Sequence, residues 1–157
     1  TTLSRDYAYC FVKLGQLLER ADMATRIIDV GAEAILSKNN TTDTVEHLLW
    51  ASLLRSLSAT TSYRQYYGPL VEHEKVVGLI LKESTMPRSV LFCLRQMREQ
   101  LDLLDNHSAV CREVDIAIDS LTQFSISKSS LNKLRKFIDT LQFQFIAIND
   151  QIAKTWF

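Results

Sequence analysis

The sequence predicts an all-α protein, an antiparallel helical bundle of about five long helices with one or two short ones. Apolar residues recur three and four positions apart through much of the chain, which is the spacing of one helical face. The 157 residues include only four glycines and two prolines, so the chain has few places for tight turns. With 46% hydrophobic residues and no strand-like alternation or internal repeat, a single domain over residues 1–157 is expected.

The first predicted helix is the central one. It runs from about residue 6 to residue 37, with Ser4 as a candidate N-cap and polar residues 38–40 as its exit. Apolar positions cover well over half of its circumference, which is typical of a helix packed on several sides. A second helix begins at the capping box formed by residues 43–46 and continues through Leu57.

An aromatic stretch and four further helices complete the expected fold. The aromatic stretch 63–67 is expected to be a packed loop, and a short helix follows from about residue 74 to residue 82. Short connections at 105–107 and 125–130 place the last three helices side by side in antiparallel order. Their apolar seams are Val90, Leu94, Met97, Leu101 and Leu104; then Val110, Val114, Ala117, Leu121 and Phe124; then Leu131, Leu134, Ile138, Leu141, Phe145, Ile148 and Ile152.

Composition excludes several classes of function. Eighteen basic residues balance eighteen acidic ones, so the protein lacks the positive charge of a nucleic-acid binder or of a polybasic membrane protein. Three cysteines without a CxxC pair indicate a reduced, cytoplasmic protein with core thiols. Neither a signal peptide nor an apolar run of membrane-spanning length is present. Because the sequence begins without methionine, we expect it to be part of a longer protein.

The charged residues of the first helix are the most informative feature. At about 100° per residue, five of them share one stripe, whereas Arg20 points towards an apolar face and needs a carboxylate or backbone carbonyls. One hypothesis is a solvated face with weak ion pairs. The other is a buried cross-helix network that fixes the register of the bundle or forms the floor of a pocket. The stripe comprises Glu19, Asp22, Arg26, Asp29 and Glu33, and the network would join Glu19, Arg20, Asp22, Arg26 and Arg55.

Catalytic and metal-binding patterns are weak. Glu19 and Asp22 lie one turn apart, but no histidine accompanies them. His47, His73 and His107 are widely separated and are expected to be solvated at helix ends, so no metal site is predicted. Neither a nucleophile elbow nor a phosphate-binding glycine loop occurs, and no cofactor is predicted.

Two other segments could bind a partner. The turn Pro87-Arg88-Ser89 could leave amides free for an anion at a helix N-terminus, or could simply start the helix well. Tyr63, Tyr66 and Tyr67 could form a partner surface in place of a packed loop.

Four blocks in one order resemble the bacterial alpha-E family, an all-helical domain named for a Glu-Arg pair. They are Phe11 to Asp29 with Glu19-Arg20, Trp50 to Ala59, Tyr63 to Tyr67, and Pro87 to Leu94, with Tyr9 where the family often has Trp. In particular, the sequence resembles the C-terminal half of proteins about twice its length. The positions of interest are Glu19, Arg20, Asp22, Arg26, Asp29, Arg55, Tyr67, Pro87, Arg88 and Ser89.

The resemblance implies a set of partners without a known mechanism. Alpha-E proteins are typically encoded beside a circularly permuted ATP-grasp protein and a transglutaminase-like peptidase. The resemblance therefore implies an accessory protein of a peptide (amide) synthesis or modification system. Such a protein would contact those two proteins and a companion N-terminal half or a second copy. The alternatives are an enzyme that uses Glu19 or Asp22 as acid–base with an arginine gripping an anionic substrate, and a purely structural bundle.

Overall fold

The computed structural model describes residues 5–37, 43–127 and 130–157. These residues form seven α-helices and no strand. The all-α bundle is therefore confirmed, with five long helices and two short ones. In order along the sequence they are α1 (Arg5–Leu36), α2 (Asp43–Ser56), α3 (Thr60–Tyr67), α4 (His73–Lys82), α5 (Val90–Leu101), α6 (Ser108–Gln123) and α7 (Leu131–Trp156).

Helix α1 is the centre of the bundle, as its broad apolar surface predicts. It packs most extensively against α5 and α7, and also contacts α2 and α4. Its buried side comprises Cys10, Leu14, Leu17, Ala21, Ala24, Ile28, Ala32 and Ile35. Helices α5, α6 and α7 pack in succession, and their predicted seams are buried at every position except Phe124, Leu131 and Ile152, which are half-buried.

The segment expected to be a loop around Tyr63 is instead the short helix α3. The expected N-cap Ser4 and the polar exit 38–40 lie outside the described residues. Within the described part of the protein, no helix combines the length and apolar character needed to cross a bilayer.

Candidate functional site

Glu19 and Arg20 are neighbours on α1 but face different grooves. Successive side chains on a helix are about 100° apart, so a helix packed on several sides directs them to different partners. Glu19 lines an open groove of about 330 Å³ between α1 and α7, here called the α1–α7 groove. Arg20 lines a groove of about 250 Å³ between α1, the end of α2 and the turn before α5, here called the arginine groove.

The arginine groove holds two cationic side chains fixed by backbone carbonyls. Arg20 Nη1 donates a hydrogen bond to the carbonyl oxygen of Pro87 at 3.4 Å, and Arg88 Nη1 donates to that of Leu57 at 2.9 Å. Neither guanidinium forms an ion pair with a carboxylate among the residues described. Because a guanidinium carries five N–H donors, both keep donors for a further acceptor. The groove is lined by Arg20, Met23, Ala24, Ile27, Ser56, Leu57 and Arg88.

Three of the four sequence blocks meet at this groove. Arg20 comes from the first block, Leu57 from the second, and Pro87 and Arg88 from the fourth. The fold thus joins Arg20 to a carbonyl 67 positions away in the sequence. Helix α1 supplies Arg20, and the end of α2 supplies the carbonyl of Leu57. The turn before α5 supplies the carbonyl of Pro87 and the second arginine, Arg88.

The carbonyl of Pro87 also accepts a weak hydrogen bond from the thiol of Cys93. Cys93 is fully buried, and its Sγ lies 3.9 Å from the Pro87 oxygen. Burial raises the pKa of the Cys93 thiol, and the nearby positive charge of Arg20 opposes this shift. Arg20 therefore has a structural role as well, because it holds the start of α5 against α1.

At the turn containing Pro87, the amide of Ser89 donates to the carbonyl of Met86 at 3.0 Å, and the Ser89 side chain caps α5. The buried Ser89 hydroxyl accepts a hydrogen bond from the amide of Phe92 at 3.0 Å and donates one to the carbonyl of Glu83 at 2.6 Å. Of the two hypotheses for this turn, the geometry favours a well-started helix. The positive charge beside it comes from the side chain of Arg88.

The α1–α7 groove contains the two carboxylates considered for acid–base chemistry. Glu19 is exposed, whereas Asp22 is half-buried and accepts a hydrogen bond from Arg26 Nε at 2.8 Å. This bond raises the pKa of Arg26. Gly15 leaves the groove open, because a Cβ there would meet nothing within 4 Å. The lining residues are Gly15, Leu18, Glu19, Asp22, Arg26, Gln142, Phe145, Ile146 and Asn149.

The hypothesis of a buried ion network is wrong. Four of its five members, Glu19, Arg20, Arg26 and Arg55, are exposed. Arg55 donates to the Ser52 hydroxyl on its own helix at 3.0 Å, away from the other members. Small and branched apolar residues fill the core side of α1, and exposed charges avoid the desolvation cost of such a network.

The remaining carboxylates of the stripe join α1 to α7. Asp29 accepts a hydrogen bond from Arg135 Nε at 2.9 Å, and Glu33 lies 3.7 Å from the same guanidinium. Both acids raise the pKa of Arg135, Asp29 by its hydrogen bond first. The stripe is therefore neither one network nor a purely solvated face.

The tyrosines of α3 pack on one another away from the arginine groove. The buried Tyr63 hydroxyl donates to the carbonyl of Leu70 at 2.7 Å, and the Tyr66 hydroxyl is hydrogen-bonded to Thr85. Tyr67 lies between them, with ring centroids 5.3 Å from Tyr63 and 6.1 Å from Tyr66. Burial, followed by the charge of Glu83, raises the pKa of Tyr67. The three rings are therefore packed on one another, as expected, although the segment is a helix and not the expected loop.

Three side chains of the kinds that bind metal ions lie close together at the turn between α5 and α6. His47 and His73 are exposed, as expected, but His107 is half-buried and meets Asp102 and Cys111. The spacing of the three histidines alone does not predict this group, because its other two members are an aspartate and a cysteine. The signal that could have found it is the separation of His107 and Cys111, which are four residues apart.

A family model described as "a predicted alpha-helical domain with a conserved ER motif" matches residues 1–157. Glu19-Arg20 is the only Glu-Arg dipeptide in the sequence, so the motif of that description falls on the two grooves. No match was found among curated proteins or among solved structures.

Proposed function

The protein belongs to the Alpha-E family along its whole length, and on that premise we propose that it is an accessory, non-catalytic subunit of an ATP-grasp-linked peptide (amide) synthesis or modification system. Its arginine groove receives a carboxylate on the ATP-grasp partner. We also propose that the protein is cytoplasmic and that it contacts the transglutaminase-like peptidase and a companion N-terminal half or a second copy.

One observation carries this proposal: Arg20 and Arg88 share an open groove, are held by backbone carbonyls, and lack a carboxylate partner among the described residues. A guanidinium matches the two oxygens of a carboxylate, and a charge-assisted pair is stronger than a neutral hydrogen bond. Two cations fixed in advance lose little side-chain freedom on binding. The groove is therefore suited to an acidic side chain or to the terminal carboxylate of a polypeptide.

The experiment is a calorimetric titration of the protein into the ATP-grasp protein encoded beside it. We expect the wild type to bind, and Arg88→Ala to weaken binding by about tenfold or more, which corresponds to about 1.4 kcal/mol. Arg20→Ala should weaken binding as well, but it also removes a bond to the start of α5, so circular dichroism must first establish that this variant is folded.

Arg26→Ala and Arg55→Ala are the matched controls. Both residues are exposed arginines, on α1 and α2 respectively, but neither lines the arginine groove. Equal affinities for all four variants would refute the groove as the contact. A wild type that does not bind would refute the accessory role with this partner.

The second candidate is an enzyme that uses Glu19 or Asp22, and the open α1–α7 groove favours it. Both carboxylates line that groove and are reachable from solvent. Arg20 and Arg88, however, line the other groove, so Arg26 is the arginine left to grip an anion there, and it already binds Asp22. If Glu19→Gln abolishes product formation by the reconstituted system while partner affinity is unchanged, the enzyme hypothesis is the better one.

A further inference from the structure

The turn between α5 and α6 brings together three side chains of the kinds that bind transition metals. Asp102 is the C-cap of α5, His107 is the N-cap of α6, and Cys111 lies in the first turn of α6. One ligand atom from each, a carboxylate oxygen, a ring nitrogen and a sulfur, lie within 4.8 Å of one another. From this geometry we propose that the turn binds Zn²⁺ through Asp102, His107 and Cys111.

The backbone of the turn sets this arrangement. The amide of Cys111 donates to the carbonyl of His107 at 2.9 Å, so the two residues lie one helical turn apart on the same face. Asn106 adopts a left-handed conformation (φ 59°), which Asn tolerates better than most residues, and this reverses the backbone between the helices. The ligands therefore come from the ends of two packed helices.

The histidine ring is oriented as metal sites require. Its Nδ1 lies 2.7 Å from the carbonyl oxygen of Leu104, and because a carbonyl only accepts, Nδ1 carries the proton. In the neutral ring this leaves the lone pair on Nε2, which faces Asp102 with its Oδ1 3.7 Å away. A histidine that binds a metal commonly donates its other N–H to a carbonyl or carboxylate in this way.

The carboxylate also has the support expected of a metal ligand. Arg98 donates to Asp102 Oδ1 and, through Nε, to Asp115 Oδ1 at 3.1 Å. A carboxylate has two oxygens and about four lone-pair sites, so Asp102 can bind both the arginine and a metal. Arg98 then holds Asp102 in place, as outer partners of ligating carboxylates do.

The donor set selects the metal. A thiolate with an imidazole and a carboxylate suits Zn²⁺, whereas Mg²⁺ and Ca²⁺ prefer oxygen alone. Bond lengths of about 2.0 to 2.3 Å place the ligand atoms of a tetrahedral zinc site about 3.3 to 3.8 Å apart. The three ligand atoms now lie within 4.8 Å of one another, so the proposal requires them to move to these separations when Zn²⁺ binds. Cys111 is buried, His107 is half-buried and Asp102 is exposed, so the fourth position opens to solvent.

The test is a calorimetric titration of the tag-free protein with Zn²⁺, repeated with Co²⁺ and followed by absorption. We expect one metal ion per protein molecule and a thiolate-to-cobalt charge-transfer band. His107→Ala and Cys111→Ser should each raise the Kd by at least about tenfold, because loss even of a supporting residue costs that much in known sites. Cys111→Ser should also abolish the charge-transfer band.

His73→Ala and Cys93→Ala are the matched controls, since both residues lie outside the cluster. His107→Ala keeps the test valid if Cys111→Ser does not fold, because the His107 side chain makes no capping bond to α6. Absence of Zn²⁺ binding, an unchanged Kd in His107→Ala, or a cobalt complex without the thiolate band would overturn the proposal. None of these outcomes bears on partner binding by the arginine groove.

Discussion

At the scale of single residues, the Tyr63 hydroxyl shows how one buried polar atom orders a connection. It donates to the carbonyl of Leu70 at 2.7 Å and accepts from the amide of Glu72 at 3.1 Å. Tyr63 is 1% exposed, whereas Leu70 is exposed and Glu72 is half-buried, so the hydroxyl is buried and its two partners are only partly shielded from water. The hydroxyl therefore ties α3 to the segment that leads into α4.

Replacing Tyr63 by phenylalanine should lower the free energy of unfolding by about 0.5 to 1.5 kcal/mol, the contribution of a typical hydrogen bond. The change removes the shared partner of the Leu70 carbonyl and the Glu72 amide, and because these groups are only partly buried, water can replace part of the lost bonding. Urea denaturation measures it. Tyr9→Phe is the control, since Tyr9 is 62% exposed and should change stability very little. Equal losses in both variants would contradict the role given to the Tyr63 bonds.

Arg20 shows what the sequence can and cannot predict of the site. Its need for a carboxylate or for backbone carbonyls follows from its position on α1, and the Pro87 carbonyl meets that need. That carbonyl lies 67 residues away, so no helical periodicity could identify it. The prediction of a buried network with Arg55 was wrong for a related reason. The positions of residues on a single helix do not show which face of that helix is exposed to solvent.

At the scale of elements, the start of α5 depends on Ser89. Its hydroxyl caps the helix at Phe92 and bonds the carbonyl of Glu83 as well, and the residue is fully buried. We expect Ser89→Ala to lower the free energy of unfolding by about 1 to 2 kcal/mol. Ser130→Ala removes the matching but exposed cap of α7, which accepts from the amide of Lys133 at 3.2 Å, and should cost less. Thermal and urea denaturation of the two variants measure the difference, and a greater loss in Ser130→Ala would contradict it.

Helix α1 contains a glycine that stability alone does not require. At Gly15 an added Cβ meets nothing within 4 Å, so Gly15→Ala should raise the free energy of unfolding by about 0.5 to 1 kcal/mol. At Gly31 the Cβ would lie 2.9 Å from Leu53 Cδ1, so Gly31→Ala should gain less. Thermal denaturation of both variants compares them. A destabilised Gly15→Ala would show that the α1–α7 groove is narrower than described.

The elements differ in how well the sequence predicts them. The seams of α5, α6 and α7 follow from apolar spacing, because each helix buries one stripe against its neighbours. Helix α3 does not follow from it, because its eight residues are Thr, Ser, Tyr, Arg and Gln and only Tyr63 is buried. Such a helix is stabilised by packing and by its hydroxyl bonds, which are absent from any local pattern.

At the scale of the whole molecule, α1 connects the two grooves to one core. It supplies Arg20 to the arginine groove and Glu19 to the α1–α7 groove, it packs against α5 and α7, and Asp29 joins it to Arg135. A change in the position of α1 would therefore alter both grooves together. The α5–α6 turn lies at the other end of α5, so metal binding there can be measured independently of the grooves.

The stability of the whole molecule should depend on the ionisation of Cys93. Its pKa is raised in the folded protein, chiefly by burial, whereas in the unfolded state the thiol ionises near pH 8.5, about its ordinary value. Above that pH the unfolded state loses a proton that the folded state keeps, so the free energy of unfolding falls as the pH rises. Below that pH the thiol is neutral in both states and has no such effect.

Cys93→Ala should therefore show a shallower alkaline loss of stability than the wild type. Between about pH 8.5 and 10 the difference in slope should approach at most about 1.4 kcal/mol per pH unit, the value for one proton. Urea denaturation under reducing conditions measures this slope. Below pH 7, the difference in the free energy of unfolding between the two proteins gives the cost of removing the Cys93 thiol group itself. Cys111, whose pKa burial also raises, remains in both proteins, so a residual slope is expected in the variant. Parallel curves would mean that the thiol of Cys93 ionises in the folded protein as readily as in the unfolded state, with Arg20 offsetting its burial.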